Sequence, residues 1–311
     1  MAEFELIERF FKGLAPGGPG VVLGIGDDAA LLRPPPGREL AMTLDTLVAG
    51  RHFLPDTDPE GLGHKALAVN LSDLAAMGAE PAWALLSLTL PEADEAWLAA
   101  FGAGLGALAR QHGVALVGGD TCRGPLSISL QLTGFVEPGR ALRRDGARPG
   151  DHLFVTGTLG DAALALEGLL AGVPVPDVLR RRLERPEPRL AEGRALAGVA
   201  SACIDLSDGL VADLGHLCEA SGCGARLEAA RIPRSGEASK WLEARGDWRP
   251  LLAGGDDYEL CFTVPPERLD ALAASGIFCT RIGEMVQGSG VTVLDERGEP
   301  LPPMPGYDHF A

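Results

Sequence analysis

The sequence predicts an α/β (α+β) protein of two domains, and three observations carry that expectation. The chain has 311 residues, 46% of them hydrophobic, which is ample for a sizeable core and long for a single domain. Short strand-like apolar runs are interspersed with longer runs whose apolar residues recur at helical spacing, the pattern of mixed sheets covered by helices. Between two such blocks lies a polar segment, EPGRALRRDGARPG at 137 to 150, with no periodicity and four arginines. The predicted divisions are residues 1–137, an inter-domain strap at 138–150, and residues 151–311.

Along the first block, Phe4, Ile7, Phe10, Phe11 and Leu14 stand at helical intervals, so residues 3 to 14 read as a helix, ended by a Gly/Pro turn at 15 to 20. Residues 21 to 25 form a strand that runs into Gly26-Asp27-Asp28. A second strand, Glu39 to Val48, alternates loosely and carries Asp45 near its end. Residues 60 to 78 read as a helix built on Leu67, Leu71 and Leu74; Asn70 and Asp73, three apart, share one of its faces. Strand 82 to 90, helix 93 to 112, strand 114 to 117 and strand 126 to 136 complete the block, with Gly118-Gly119-Asp120 expected at a strand end. A second α/β run follows from 151 and again carries its acids at element ends. No short repeat period appears, which excludes a solenoid.

Composition narrows the function. A net charge of −16 and a pI near 4.8 argue against nucleic acid or an anionic membrane as partner, since either demands a clustered basic surface. The longest apolar runs are broken well short of a membrane span. The N-terminal MAEFELIERFFKGL carries acids among its apolar residues and does not read as a signal peptide. The six cysteines form no C-x-x-C pair, so neither zinc nor a disulfide framework is indicated, and a reducing cytoplasm fits best. Three lysines among 27 basic residues, with abundant Ala, Leu, Gly and Pro, hint at a GC-rich or thermophilic source.

Chemistry is concentrated in recurrent carboxylates: Gly26-Asp27-Asp28, Leu44-Asp45-Thr46, Ser72-Asp73, Gly119-Asp120-Thr121, Asp205-Leu206-Ser207-Asp208-Gly209 and Gly254-Gly255-Asp256-Asp257-Tyr258-Glu259. Taken singly, each is an ordinary turn, because Asp and Gly favour turns. Together they would repel one another without cations between them, and hard oxygen ligands of this kind suit Mg²⁺ shared with phosphate oxygens. No P-loop, dinucleotide fingerprint, protein-kinase signature or G-x-S-x-G is present, so metal rather than a Walker lysine must neutralise any bound phosphates. Asp-x-Ser-Asp-Gly opens a helix whose N-terminal amides would favour phosphate. His52 follows the Asp45 strand at its exit, where a packing role and a site role both remain open. Arg143 and Arg144 in the strap are either phosphate clamps or solvated charge. Gly306-Tyr307-Asp308-His309-Phe310 brings two aromatics to the end of a chain only 5% aromatic, as a docking tail or a ring-stacking wall.

Read in order, GIGDDAALL (24 to 32), TLDTLVAGRHF (43 to 53), KALAVNLSDLAAMGA (65 to 79), VGGDT (117 to 121), IDLSDGL (204 to 210), GGDDYEL (254 to 260) and GYDHF (306 to 310) strongly resemble the thiamine-monophosphate kinase family across the whole chain. Looser versions occur in the related aminoimidazole ribonucleotide synthetase and selenophosphate synthetase. The resemblance implies an aminoimidazole ribonucleotide synthetase-like fold, with a mixed-sheet N-terminal domain that binds ATP and Mg²⁺ and dimerises, plus an α+β C-terminal domain. It implies ATP-dependent phosphorylation of thiamine monophosphate to thiamine diphosphate in a cytoplasmic homodimer. By motif position, the Mg²⁺ ligands would be Asp28, Thr43, Asp45, Asp73, Asp120, Asp205 and Asp208, several ions being held. ATP would meet Gly119, Asp120, Arg144 and Ser207; the thiamine phosphate would meet His52, Asp256 and Tyr307. Asp45, Asp120 and Asp208 would carry catalysis. Leu44 stands where threonine is common in the family, and Asp256 where glutamate is common.

Phosphoryl transfer asks a protein for in-line positioning and charge neutralisation rather than covalent chemistry, and aspartates holding Mg²⁺ supply both. The acceptor is itself an ionised phosphate and needs no strong general base. Two rivals have distinct signatures. A selenophosphate synthetase would carry a reactive cysteine near its N-terminus, whereas the first here is Cys122. A non-catalytic acidic scaffold would gather its acids in one loop.

Overall fold

The computed structural model describes residues 3–14, 17–304 and 306. They form two compact units, one of residues 1–74 and 79–139, the other of residues 75–78 and 140–311.

Unit 1 opens with α1 (Glu3–Leu6), which runs into a π-helical turn over Ile7–Phe11, so the expected first helix ends wide rather than as a regular α-helix. β1 (Val21–Leu23) pairs antiparallel with β2 (Leu31–Leu32), a two-residue strand too short to leave a sequence period. Then follow β3 (Glu39–Val48), α2 (Pro59–Ala76), β4 (Glu80–Leu90), α3 (Glu95–His112), β5 (Ala115–Arg123) and β6 (Ser127–Val136). These strands form a four-stranded sheet in the order β3-β6-β4-β5. β4 and β5 are parallel and the other pairs antiparallel. Parallel neighbours need a crossover, and α3 supplies it. It starts where the Asp94 carboxylate accepts from the amides of Ala96 and Trp97, at 2.8 and 3.1 Å, and stops at left-handed Gly113. β5 continues six residues past the expected end at 117, so Gly118-Gly119-Asp120 lies inside a strand. Helical spacing could not reveal this, because glycines and an aspartate carry little strand propensity.

Unit 2 contains β7 (His152–Thr156), α4 (Asp161–Leu170), α5 (Asp177–Glu184), α6 (Leu190–Leu196), β8 (Ala202–Asp205), α7 (Leu210–Ser221), β9 (Gly224–Glu228), α8 (Gly236–Arg245), α9 (Arg249–Leu252), β10 (Leu260–Val264), α10 (Leu269–Ala274), β11 (Cys279–Val286) and β12 (Gly290–Leu294). The six strands are ordered β12-β9-β11-β7-β10-β8, with only β12 and β9 parallel. Alternation along β7 divides the core: Leu153 and Val155 pack with Ile204, Leu214, Leu217 and Ile282, whereas Phe154 stacks on Phe262 with ring centroids 5.6 Å apart. All five residues of β10 are buried, as a central strand covered on both faces requires.

Residues 75–78, the last two of α2 and the two that follow, belong to unit 2. The Met77 carbonyl accepts from the Leu142 amide at 3.0 Å. Gly193 approaches the same segment so closely that a Cβ there would sit 2.0 Å from the Ala75 carbonyl oxygen.

Candidate functional site

In unit 1 the period of β3 puts Thr43 and Asp45 on its less exposed face, with exposed Met42, Leu44 and Thr46 on the other. From α2, Asp73 reaches that face and its carboxylate accepts a short hydrogen bond from the Thr43 hydroxyl. Its helix neighbour Asn70 is fully buried and turns its side-chain nitrogen to the Ala66 carbonyl, 3.2 Å away. Asn70 therefore packs inside the helix layer, and Asp73 alone of this pair is tied to β3. Past the end of β3, the Val48 amide donates to Nδ1 of His52 at 3.0 Å, which leaves the proton of the neutral ring on Nε2. Asp28 is exposed in the turn after β1, where its amide donates to the Asp27 carboxylate at 2.8 Å.

Asp45 and Asp120 stand apart. One rung of the sheet runs Asp45, Leu130, Leu86, Gly119, and the next runs Thr46, Ser129, Ser87, Asp120. β3 and β5 are opposite edges of the sheet, three strand spacings or roughly 14 Å apart. One ion cannot hold both carboxylates of one chain at the usual Mg²⁺–oxygen distance of about 2.1 Å. Gly119 has φ +153°, and a Cβ there would lie 1.8 Å from the Leu86 carbonyl oxygen. Glycine is thus required for the close approach of β5 to β4 beside exposed Asp120.

In unit 2, Asp205 ends β8 buried, and the next turn carries half-buried Ser207 and Asp208. The amides of Ser207, Asp208 and Gly209 all donate to one carboxylate oxygen of Asp213, at 3.0, 3.0 and 3.1 Å. A side chain from the first turn of α7 therefore takes the amides just before the helix, that of its N-cap Gly209 included. Burial pushes the Asp213 carboxyl up to about 7 against the pull of the three amides. The 205–209 turn is stitched to the 254–259 segment beyond the paired ends of β8 and β10. The Asp256 amide donates to the Ser207 carbonyl at 2.9 Å, that of Tyr258 to Leu206 at 2.8 Å, and that of Leu206 to Glu259 at 2.9 Å. Arg144 is exposed; its neighbour Arg143 accepts at its carbonyl from the Cys203 amide at 2.9 Å, which sets the strap beside edge strand β8. The Arg143 guanidinium pairs with Asp145, with Nε to Oδ1 at 2.9 Å.

Two buried acids within this segment, Asp257 and Glu259, are pushed in opposite directions. Burial would raise the Glu259 carboxyl, but hydrogen bonds and charge from Arg189, the Arg182 charge and the Thr156 hydroxyl hold it below the usual range. Asp257 is pushed well above that range by burial, although its carboxylate accepts from the Gly160 amide at the start of α4. Sequence reading missed Asp213 and the two arginines, and gave Tyr258 and Glu259 no role of their own. The Tyr-Glu pair stood inside a quoted motif; the arginines lie some seventy residues away with no local signal.

Tyr307 lies outside the described residues. Gly306 is close against the 207–213 turn, where a Cβ on it would stand 2.4 Å from Cβ of Ala212 and 2.9 Å from the Asp208 carbonyl oxygen. Among the described residues no three His, Cys, Asp or Glu side chains gather closely enough to hold a metal by themselves. Mg²⁺ typically takes one or two carboxylates and completes its shell with phosphates and water, so paired hard oxygens such as Thr43 and Asp73 fit it.

Residues 26–136 match the family model for the AIR synthase related protein, N-terminal domain, and residues 148–296 the model for its C-terminal domain. The chain is 50% identical to the thiamine-monophosphate kinase of Escherichia coli strain K12, over 99% of this chain and 98% of that one. The crystal structure of thiamine-monophosphate kinase from Stenotrophomonas maltophilia K279a is 47% identical, superposes with a TM-score of 0.87, and covers 97% of this chain and 98% of its own. A complex of AaThiL with AMPPCP and TMP is 35% identical, with a TM-score of 0.80 over 99% of this chain and 97% of that one.

Proposed function

Because the chain belongs to the thiamine-monophosphate kinase family of AIR synthase related proteins, we propose that its aspartate-lined turns bind Mg²⁺ and the two phosphate substrates of that family's reaction. The activity is ATP-dependent phosphorylation of thiamine monophosphate to thiamine diphosphate.

For the site, Asp28, Thr43, Asp45, Asp73 and Asp120 of unit 1 hold Mg²⁺, and Asp205 and Asp208 do so in unit 2. The roughly 14 Å between the strands of Asp45 and Asp120 favours several ions over one shared ion. Bound Mg²⁺ supplies neutralisation of phosphate charge in the transition state. The nucleotide meets Gly119, Asp120, Arg144 and Ser207, and the acceptor phosphate or thiamine meets His52, Asp256 and Tyr307. Asp45, Asp120 and Asp208 are the catalytic carboxylates. Residues 1–137 form the nucleotide, metal and dimerisation domain, 138–150 the strap, and 151–311 the C-terminal domain.

One observation carries direct in-line transfer: the Asp256 amide donates to the Ser207 carbonyl, so the residue assigned to the acceptor is adjacent to the residue assigned to ATP. Reactants held side by side need no phosphoenzyme relay. Asp45 and Asp208 then hold charge in place, and no residue is asked to take a proton, because the acceptor phosphate is ionised at neutral pH.

The homodimer rests on an apolar strip in unit 1. Leu40, Met42 and Leu44 on β3 are 49, 66 and 64% exposed, and Leu85 on β4, on the rung of Leu44, is 41% exposed. A second copy of the chain would cover it. A cytoplasmic setting agrees with the six free cysteines, and among the described residues no helix is long and apolar enough to cross a membrane.

The test is a product assay with thiamine monophosphate, ATP and Mg²⁺, repeated with EDTA. Thiamine diphosphate forming only with the metal is the expected result; none in either arm would overturn the activity, and equal product in both would overturn the metal assignment.

A further inference from the structure

Two residues without glycine's freedom occupy the left-handed backbone region in one short segment: Asp256 at φ +67° and Tyr258 at φ +51°. They are the only such residues among those described. Each conformation is strained and persists where the surroundings over-determine it. Here they do: the Asp256 and Tyr258 amides are bonded to Ser207 and Leu206, and Asp257 is bonded to Gly160. Glycine would accept either conformation without strain, so the side chains, not the backbone, account for the residues found there.

The side chains meet. The hydroxyl of buried Tyr258 donates to Oδ1 of Asp256 at 2.9 Å, a hydrogen bond to a carboxylate. Asp256 is half-buried, and this bond fixes one of its carboxylate oxygens. Strain at both residues is what brings hydroxyl and carboxylate together across a two-residue step.

The geometry points to Tyr258 as a positioning residue for the acceptor substrate, acting through Asp256 by locking its carboxylate in one orientation. This rests on the assignment of Asp256 to thiamine monophosphate. Tyr258 touches neither substrate and is not a catalytic residue. Its effect falls on the Michaelis constant for thiamine monophosphate, because the bond made by the hydroxyl is to the acceptor-side carboxylate.

A double-mutant cycle on the full chain decides it: Asp256→Ala, Tyr258→Phe and the pair, with both Michaelis constants, kcat and Tm measured for each. Tyr258→Phe is expected to raise KM for thiamine monophosphate about tenfold, the loss of one charge-assisted hydrogen bond, and to change KM for ATP less than about twofold. In the Asp256→Ala background the same substitution is expected to have no further effect on KM. A purely structural tyrosine would lower Tm and add its effect on KM in both backgrounds, and this additivity would overturn the inference while Asp256 kept its role. An unchanged KM for thiamine monophosphate in Tyr258→Phe, beside a raised one in Asp256→Ala, would overturn it as well. If Asp256→Ala leaves that constant unchanged, the assignment of Asp256 to the acceptor fails, and the inference about Tyr258 falls with it.

Discussion

The fully buried Glu259 carboxylate takes two hydrogen bonds from the Arg189 guanidinium, from Nε at 2.7 Å and from Nη2 at 2.6 Å, closing a fork behind the 254–259 segment. Arg182 adds a third bond at 2.6 Å and Thr156 a fourth at 2.6 Å. A carboxylate this buried is tolerable only while those partners remain. Arg189→Ala is expected to cost about 3–5 kcal/mol in urea unfolding at pH 7. Because the folded carboxyl lies below its ordinary 4.5, its contribution is present above that pH and is lost as pH falls through the lower folded value. Unfolding free energy of the parent should therefore drop on acidification below pH 4.5, and Glu259→Gln should flatten that part of the profile. Identical profiles for the two proteins would count against the network.

Asp213 organises the 207–209 turn by hydrogen bonding rather than by meeting ligand. Asp213→Ala strands three amides and should destabilise the protein by about 2–4 kcal/mol, at about 1–3 kcal/mol for each buried unmet donor with partial recovery by water. ATP binding in Mg²⁺, measured by calorimetry, should weaken in parallel. Asp213→Asn, which keeps an acceptor oxygen where all three amides converge, should recover most of both. Equal losses in Asn and Ala would mean that charge, and not the acceptor, matters.

Asp45 and Asp120 are expected to act separately because they stand on opposite edges of one sheet. Asn at either position should lower kcat by about 10²-fold, as loss of electrostatic stabilisation does. The two effects should combine as independent contributions within one chain. Gly119→Ala, which forces a Cβ against the Leu86 carbonyl, should reproduce much of the Asp120 loss with that carboxylate intact. Full activity of Gly119→Ala would show that the strand tolerates displacement there.

The apolar strip on β3 predicts assembly. Met42→Asp combined with Leu44→Asp should shift the chain to a monomer in light scattering while leaving its circular dichroism unchanged, since both side chains point to solvent within one chain. A parent that is itself monomeric, or a variant that stays dimeric, would remove this face from consideration.

Much of the fold was legible because it rests on local periods. β3 spans Glu39–Val48 as its alternation suggested, and α3 lies within the helix read at 93 to 112 because Asp94 and Gly113 mark its ends. The strand end after Val117 was misjudged, since the pairing that carries β5 through Gly118-Gly119-Asp120 comes from β4, some thirty residues earlier. At the site, Thr43 and Asp73 were named together from motifs, and a hydrogen bond joins them. Phosphate was expected at the N-terminal amides of the helix that Asp-x-Ser-Asp-Gly opens, and nothing local indicated that Asp213 folds back on the amides of 207–209 just before it.

The sequence by itself determined the two α/β blocks, the likeness to a family and the set of aspartates, because apolar period and motif order are properties of neighbours along the chain. Only the tertiary structure decided which groups meet: that Asp45 and Asp120 occupy opposite sheet edges, that Tyr258 turns back to hold Asp256, and that Arg182 and Arg189 close on Glu259. Those contacts join residues up to about seventy-seven positions apart or depend on strained backbone. Burial stabilises them against the entropic cost of long-range chain closure and against backbone strain, terms that no window of sequence contains.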